Sequence, residues 1–187
     1  MVAHNVLFIC THNSARSIFA EAILNYDAGG RFQGFSAGSD PGAIHPAALD
    51  VLETFGHDTS CFRSKSWSEF ASPNAPIMDF VFTLCDTAAG ENCPLFSRSP
   101  ITAHWGIHDP AADTQDVDAF VRAYGYIQNR ITGLLALSID SLDELATSAA
   151  LAEIGRSSGA TDLAMRRNAG QPSQSRNLKR CDDSNGQ

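Results

Sequence analysis

Apolar and polar positions along the first 140 residues follow two alternating patterns. Four short, mainly apolar runs are bounded by polar residues, glycine or proline, and they are the expected β-strands, at residues 6–9, 32–37, 78–84 and 101–105. The first run is apolar at every position, which is typical of a parallel strand covered on both faces. The pattern predicts an α/β protein, a single domain built on a four-stranded parallel sheet with helices on both faces.

Helical spacing accounts for the segments between and after these runs. Apolar residues recur every three or four positions from Ser17 to the pair Gly29-Gly30, and again from residue 45 to Gly56. Further helices are expected at residues 64–70, 116–137 and 142–154. Helices that alternate with strands in this way are what the α/β class requires.

The composition changes at about Arg156. Residues 1–155 carry 7 Lys and Arg against 18 Asp and Glu, whereas residues 156–187 carry 6 against 3 and contain few apolar side chains. We therefore expect a folded domain at residues 3–154 and a disordered basic and polar tail at residues 156–187. An acidic domain repels nucleic acid, so affinity for an anion must come from a local site.

Targeting signals and cysteine usage predict the compartment. Residues 1–4 are too few for a secretory signal before the first strand, and no apolar run reaches the length of a membrane span. We expect a cytoplasmic monomer with no membrane partner. In that compartment the cysteines are expected to be catalytic, redox-active or inert rather than a disulfide framework: Cys10, Cys61, Cys85, Cys93 and Cys181.

The loop Cys10-Thr11-His12-Asn13-Ser14-Ala15-Arg16-Ser17 joins the first predicted strand to the first predicted helix. Free N–H groups of the loop and of the first helical turn bind anions, so residues 11–16 are expected to hold an oxyanion. Arg16 adds a planar fork for two oxygens of phosphate or arsenate. The same donors and the Ser17 hydroxyl favour a thiolate at Cys10, although an inert buried cysteine is the alternative.

A second motif, Cys85-Asp86-Thr87-Ala88-Ala89-Gly90-Glu91-Asn92-Cys93, places two cysteines eight positions apart among small residues. One interpretation is a zinc half-site, for which His104 and His108 match the remaining ligands only loosely. The other is a thiol relay. If Cys10 forms a thiol–arsenate adduct, a second thiolate can attack its sulfur and expel arsenite, and thiol exchange then moves the disulfide outward.

A third motif is His104-Trp105-Gly106-Ile107-His108-Asp109-Pro110-Ala111. An aspartate fixed by the following proline can donate a proton to a departing hydroxyl or alcohol, although Asp-Pro is also an ordinary turn opener. Cys10, Cys85 and Asp109 all follow predicted strands. Because ligands of open α/β sheets bind beyond the carboxyl ends of the strands, we expect the three to meet there.

These motifs resemble the low-molecular-weight tyrosine phosphatase superfamily, most closely its arsenate reductase branch, over about residues 3–140. The resemblance implies that Cys10 is the nucleophile, that Asp109 donates a proton, and that Cys85 and then Cys93 resolve the adduct. It also implies arsenate as substrate, with phosphate or sulfate as analogues, and thioredoxin or glutaredoxin with glutathione as reductant. No cofactor is expected.

Departures from the phosphatase pattern favour the reductase. Ala15 and Ala111 stand where the phosphatases carry a cysteine and an aromatic residue, so an aryl pocket is not expected. The alternatives are a phosphatase acting on phosphotyrosine, phosphoarginine or aryl phosphates, and a non-catalytic oxyanion sensor. The positions that form a potassium site in some reductases are also matched, but Lys65 can supply that cation, and no metal is predicted: Asn13, Glu21 and Ser36.

Overall fold

The structure, a computed structural model, describes residues 3–91, 96, 99–113, 116 and 118–169. Its strands are β1 (His4–Cys10), β2 (Phe32–Gly38), β3 (Phe80–Thr83) and β4 (Ile101–His104). Its helices are α1 (Arg16–Asp27), α2 (Pro46–Thr54), α3 (Asp86–Gly90), α4 (Ala119–Ala136), α5 (Glu144–Gly155) and α6 (Asp162–Arg167). Short 3-10 helices lie at Trp67–Ala71 and Ile139–Ser141.

The four strands form one parallel sheet in the order β2-β1-β3-β4, which confirms the predicted fold class. Every side chain from Val6 to Ile9 is fully buried. Since successive side chains of a strand point to opposite faces, the central strand β1 is covered on both sides. The register pairs Cys10 with Gly38 and Ile9 with Thr83, so the carboxyl ends of the strands lie at one edge.

The predicted start of the disordered tail at Arg156 is wrong for residues 156–169, which are folded and include α6. Thr161 caps α6 by accepting a hydrogen bond from the backbone N–H of Ala164, and the buried Asn168 side chain donates to the carbonyl of His104 at 2.7 Å. Composition suggested disorder because the segment is polar, but its polar side chains form hydrogen bonds with β4 and α3. Residues 170–187, with Cys181, lie outside the described residues.

None of the helices in the described part of the chain combines the length and the apolar character of a membrane span.

Helix α1 packs on β1 and β2 and against α4, while α5 packs on β4. The helices therefore brace the strands and leave the loops at the carboxyl edge to carry chemistry.

Candidate active site

The loop between β1 and α1 is held from outside by the segment at residues 39–45. Its backbone carbonyls accept N–H groups of that segment, in the pairs Thr11 with Asp40, His12 with Gly42 and Ser14 with His45, each at 2.9 Å. The N–H groups of residues 12–16 have no acceptor in the described part of the chain, and no side chain caps α1. Free donors at the positive end of a helix form an anion site.

Asn13 fixes the shape of this loop from inside. It adopts a left-handed conformation, with φ of 48°, which asparagine tolerates better than most residues. Its buried side chain donates to Ser17 Oγ at 2.8 Å and to Ser36 Oγ at 2.9 Å, and it accepts from the N–H of Lys65 at 2.8 Å. Gly38 allows the close packing, since a Cβ there would lie 2.6 Å from the carbonyl oxygen of Thr11.

The sulfur of Cys10 lies 3.0 Å from the hydroxyl oxygen of Ser17, and both residues are buried. Ser17 Oγ already accepts a hydrogen bond from Asn13, which leaves the hydroxyl proton free to point at the sulfur. A hydroxyl that donates to sulfur stabilises the thiolate form. Cys10 is 2% exposed, so its reactive form has to be supported by such fixed donors rather than by water.

An ammonium group supports this chain of hydrogen bonds. Lys65 Nζ donates to Glu21 Oε2 at 3.0 Å, to Ser36 Oγ at 3.1 Å and to the carbonyl of Arg63 at 3.3 Å. Because Ser36 Oγ accepts from both Lys65 and Asn13, its proton goes to Glu21. The Lys65 ammonium thus lies among oxygens that the resemblance assigned to a potassium site.

Arg16 and Asp109 are 93 positions apart in the sequence and form an ion pair in the structure. Arg16 NH2 donates to Asp109 Oδ2 at 2.9 Å, and Arg16 NH1 donates to the carbonyl of Ile107 at 3.2 Å. The second carboxylate oxygen of Asp109 accepts from the N–H of Ala111 at 3.1 Å. The guanidinium is buried and the Asp109 side chain is 45% exposed, so the pair lies between the loop and solvent.

Cys85 lies against the oxyanion loop. It follows β3, it is 4% exposed, and its sulfur is 3.3 Å from the hydroxyl oxygen of Thr11, the residue directly after Cys10. Cys10 and Cys85 both carry free thiols, and Cys61 is a free thiol elsewhere on the surface. Cys93, the other predicted resolving thiol, lies outside the described residues.

Sequence reasoning missed a hydrogen-bonded group beside Cys85. His104 Nε2 donates to Asp86 Oδ1 at 3.0 Å, and His104 Nδ1 accepts from the hydroxyl of Thr83 at 2.8 Å. Burial lowers the pKa of His104, although Asp86 opposes that effect. The sequence suggested His104 only as a loose zinc match, and no group of three or more potential metal ligands occurs within the described ranges. The only signal in the sequence for this hydrogen-bonded group is that His104 falls near the end of a predicted strand.

Residues 5–148 match the family described as "Low molecular weight phosphotyrosine protein phosphatase". The chain belongs to this family. The resemblance predicted from the sequence motifs is therefore confirmed.

Several proteins that resemble the chain are arsenate reductases by name. A protein named glutaredoxin arsenate reductase from Synechocystis is 31% identical over 132 residues, which cover 70% of this chain and 95% of that one. A solved arsenate reductase in a phosphate-binding state matches with a TM-score of 0.60 and 28% identity, over 71% of this chain and 97% of that one. The thioredoxin-dependent arsenate reductase of Corynebacterium glutamicum matches with a TM-score of 0.53 and 28% identity, over 71% and 60%.

Replacing Lys65 by methionine is expected to lower the free energy of unfolding by about 3 kcal/mol, because the substitution leaves the carboxylate of Glu21 buried without its cation. Urea denaturation followed by tryptophan fluorescence measures this loss. Arg63→Met is the control, since it removes a cation two positions away from an exposed pair with Glu69 and should cost less than about 1 kcal/mol. Equal losses in the two variants contradict a special role for the Lys65 ammonium.

Proposed function

We propose that this protein is an arsenate reductase in which Cys10 is the nucleophile and Cys85 the first resolving thiol. The observation that carries the proposal is the 3.3 Å separation between Cys85 Sγ and the hydroxyl oxygen of Thr11. A second buried thiol therefore lies beside the oxyanion loop. Ester hydrolysis does not require a second thiol. Arsenic(V) accepts two electrons from thiols, whereas phosphorus in phosphate does not.

The first step is substitution without a change of oxidation state. Arg16 and the free N–H groups of residues 12–16 hold the arsenate oxygens, and the Cys10 thiolate attacks arsenic. The sulfur–arsenic bond forms while an arsenic–oxygen bond breaks. Arsenate takes the place of the Asp109 carboxylate on Arg16, and Asp109 then takes up a proton from an arsenate hydroxyl and passes it to the departing oxygen, which leaves as water.

The second step is the reduction. The Cys85 thiolate attacks Cys10 Sγ, so that a sulfur–sulfur bond forms and the sulfur–arsenic bond breaks. The electron pair of the broken bond stays on arsenic, which leaves as arsenite. Two thiolates are thereby oxidised to one disulfide, and arsenic(V) is reduced to arsenic(III).

The remaining steps return the enzyme to its starting state. We infer from the sequence that Cys93 attacks Cys85 Sγ, which frees Cys10 and moves the disulfide to Cys85 and Cys93. A dithiol protein of the thioredoxin or glutaredoxin class, or glutathione, then reduces that disulfide. The reductant named for the relatives supports this class of partner. The monomeric state and the cytoplasmic location stay predictions.

A phosphatase is the second candidate, and the pairing of Arg16 with Asp109 favours it, because that pair and Cys10 are all that ester hydrolysis requires. The two functions differ in their products. A reductase converts two thiols to a disulfide for each arsenite released, whereas a phosphatase consumes no thiol. A non-catalytic sensor releases neither arsenite nor the alcohol of a phosphate ester.

A single-turnover assay tests the proposal. Reduced protein is mixed with excess arsenate in the absence of added thiol, and arsenite and the remaining free thiols are quantified in the same samples. We expect about one arsenite per protein chain and the loss of two thiols, as the balance of the reaction requires. Hydrolysis of 4-nitrophenyl phosphate without arsenite formation supports the phosphatase, and the absence of both products supports the sensor.

A further inference from the structure

The segment at residues 156–169, which we call the C-terminal latch, lies beyond the residues 5–148 that match the family. It binds to α3, the helix that begins directly after Cys85. Thr161 Oγ1 donates to Asp86 Oδ1 at 2.6 Å, at the first residue of α3, and Arg167 NH1 donates to the carbonyl of Ala89 at 2.9 Å, near its end. The latch therefore holds both ends of this helix.

The latch is itself anchored to the rest of the domain. The backbone N–H of Thr161 donates to the carbonyl of Gly106 at 3.0 Å, and Ala160 forms an isolated antiparallel bridge with Ile107. Arg130, a fully buried residue of α4, donates to the carbonyls of Ser157 and Ser158. Because these anchors lie in the segment just after β4 and on α4, the latch can restrain α3 from a fixed position.

Helix α3 depends on such restraint. It has five residues, and a helix of that length has no independent stability in water. The described residues show three side chains outside α3 that hold it by hydrogen bonds: His104, Thr161 and Arg167. Two of the three belong to the latch.

The proposed reaction gives this restraint a consequence. Cys10 is 2% exposed and Cys85 is 4% exposed, so a disulfide between them would form inside the protein. The next thiolate of the relay, whether from Cys93 or from a reductant, must approach Cys85 Sγ directly, which requires the segment that carries Cys85 to move outward. Movement of Cys85 away from the loop pulls on α3, because Cys85 is the residue directly before that helix.

We propose that residues 156–169 hold α3 in place, and that Thr161 and Arg167 are positioning residues which set how often Cys85 becomes accessible to a reducing thiol. Asp86 receives this restraint, since its Oδ1 accepts from both His104 and Thr161. Gly106 is part of the same arrangement, because a Cβ at that position would lie 2.5 Å from His104 Nε2 and 2.8 Å from Asp86 Oδ1. The inference that this restraint serves catalysis rests on the proposed function, but the restraint itself is measurable without arsenate.

Alkylation of Cys85 measures the opening. The reduced full-length protein is treated with iodoacetamide, and the rate for each cysteine is read by peptide mass mapping, with the exposed Cys61 as an internal reference. We expect Arg167→Met to raise the Cys85 rate relative to Cys61 by about two- to fivefold, the effect of losing one exposed charge-assisted hydrogen bond. Arg166→Met is the matched control, because Arg166 lies next to Arg167 in α6 and its side chain has no hydrogen bond within the described part.

A second pair of variants tests the other end of α3. Thr161→Val removes the hydroxyl that bonds to Asp86 and caps α6, so the Cys85 rate should rise by about tenfold. Thr161→Ser keeps the hydroxyl and should restore the rate of the unaltered protein. A general loss of stability would not be reversed so selectively, and hydrogen exchange at residues 86–90 should rise in Thr161→Val and Arg167→Met alone.

The outcomes separate the latch from the reductase. Equal Cys85 rates in Arg167→Met, Arg166→Met and the unaltered protein, together with no change in Thr161→Val, overturn the latch and leave the relay intact. Accelerated labelling in a protein that forms no arsenite confirms the restraint on α3 and overturns its role in arsenate reduction. Accelerated labelling together with a matching rise in the rate at which dithiothreitol reduces the arsenate-oxidised enzyme supports both.

Discussion

Substitution of Cys10 by serine is expected to reduce arsenite formation and phosphate ester hydrolysis by about 10,000-fold or more. A serine hydroxyl stays protonated near neutral pH. Ser17, whose side chain is hydrogen-bonded to position 10, is not a base that could remove this proton. An arsenate ester of serine would also be inactive. A thiolate attacks sulfur readily but does not attack an ester oxygen, so arsenic would not be reduced. Arsenite release and 4-nitrophenol release, each followed over hours, measure the two losses.

The oxyanion site itself should survive this substitution. Arg16 and the N–H groups of residues 12–16 are unchanged in Cys10→Ser, so phosphate should still raise the thermal midpoint of the variant. Cys61→Ser is the control for loss of a thiol as such, because Cys61 is exposed and lies outside the site. A Cys10→Ser protein that binds phosphate and retains more than about a hundredth of either activity contradicts Cys10 as the nucleophile, given the size of the expected loss.

The sheet and the meeting of the motifs could be predicted because both depend on short-range patterns. The run from Val6 to Ile9 required a strand buried on both faces, and the carboxyl ends of parallel strands share one edge. That topology alone was enough to expect Cys85 and Asp109 near the loop at Cys10. Individual side chains were less predictable: Tyr26 continues the helical spacing of the apolar residues after Ser17, but it is 71% exposed and its ring packs against His57.

The C-terminal latch could not be predicted, because its stability comes from bonds between distant residues. Thr161 meets Asp86 across 75 positions and Asn168 meets His104 across 64, and no local spacing announces either pair. Residues 156–169 are also polar, and a polar composition by itself predicts disorder. Only the resemblance to the family predicted a cation beside Glu21 and Ser36, because it marked these two positions as cation ligands. In the structure the Lys65 ammonium occupies this place.

Substitution of Cys85 by serine is expected to separate the two candidate reactions. Arsenite release in a single turnover should fall by about 1,000-fold or more, because no second thiolate is left beside the Cys10 adduct. Hydrolysis of 4-nitrophenyl phosphate should change by less than about threefold, since that reaction needs only the nucleophile, the oxyanion donors and Asp109. Serine also keeps a hydroxyl that can pair with Thr11, so the loop should retain its shape.

The ratio of the two activities is more informative than either rate. A variant that merely disturbs the loop lowers both reactions together, because Thr11 belongs to the oxyanion site and contacts Cys85. Loss of the resolving thiol lowers arsenite release alone. Full arsenite release by Cys85→Ser without added thiols contradicts the electron transfer from Cys85, whereas a parallel fall of both activities assigns Cys85 to the support of the loop. Only the selective loss fits a sulfur that takes part in the reduction.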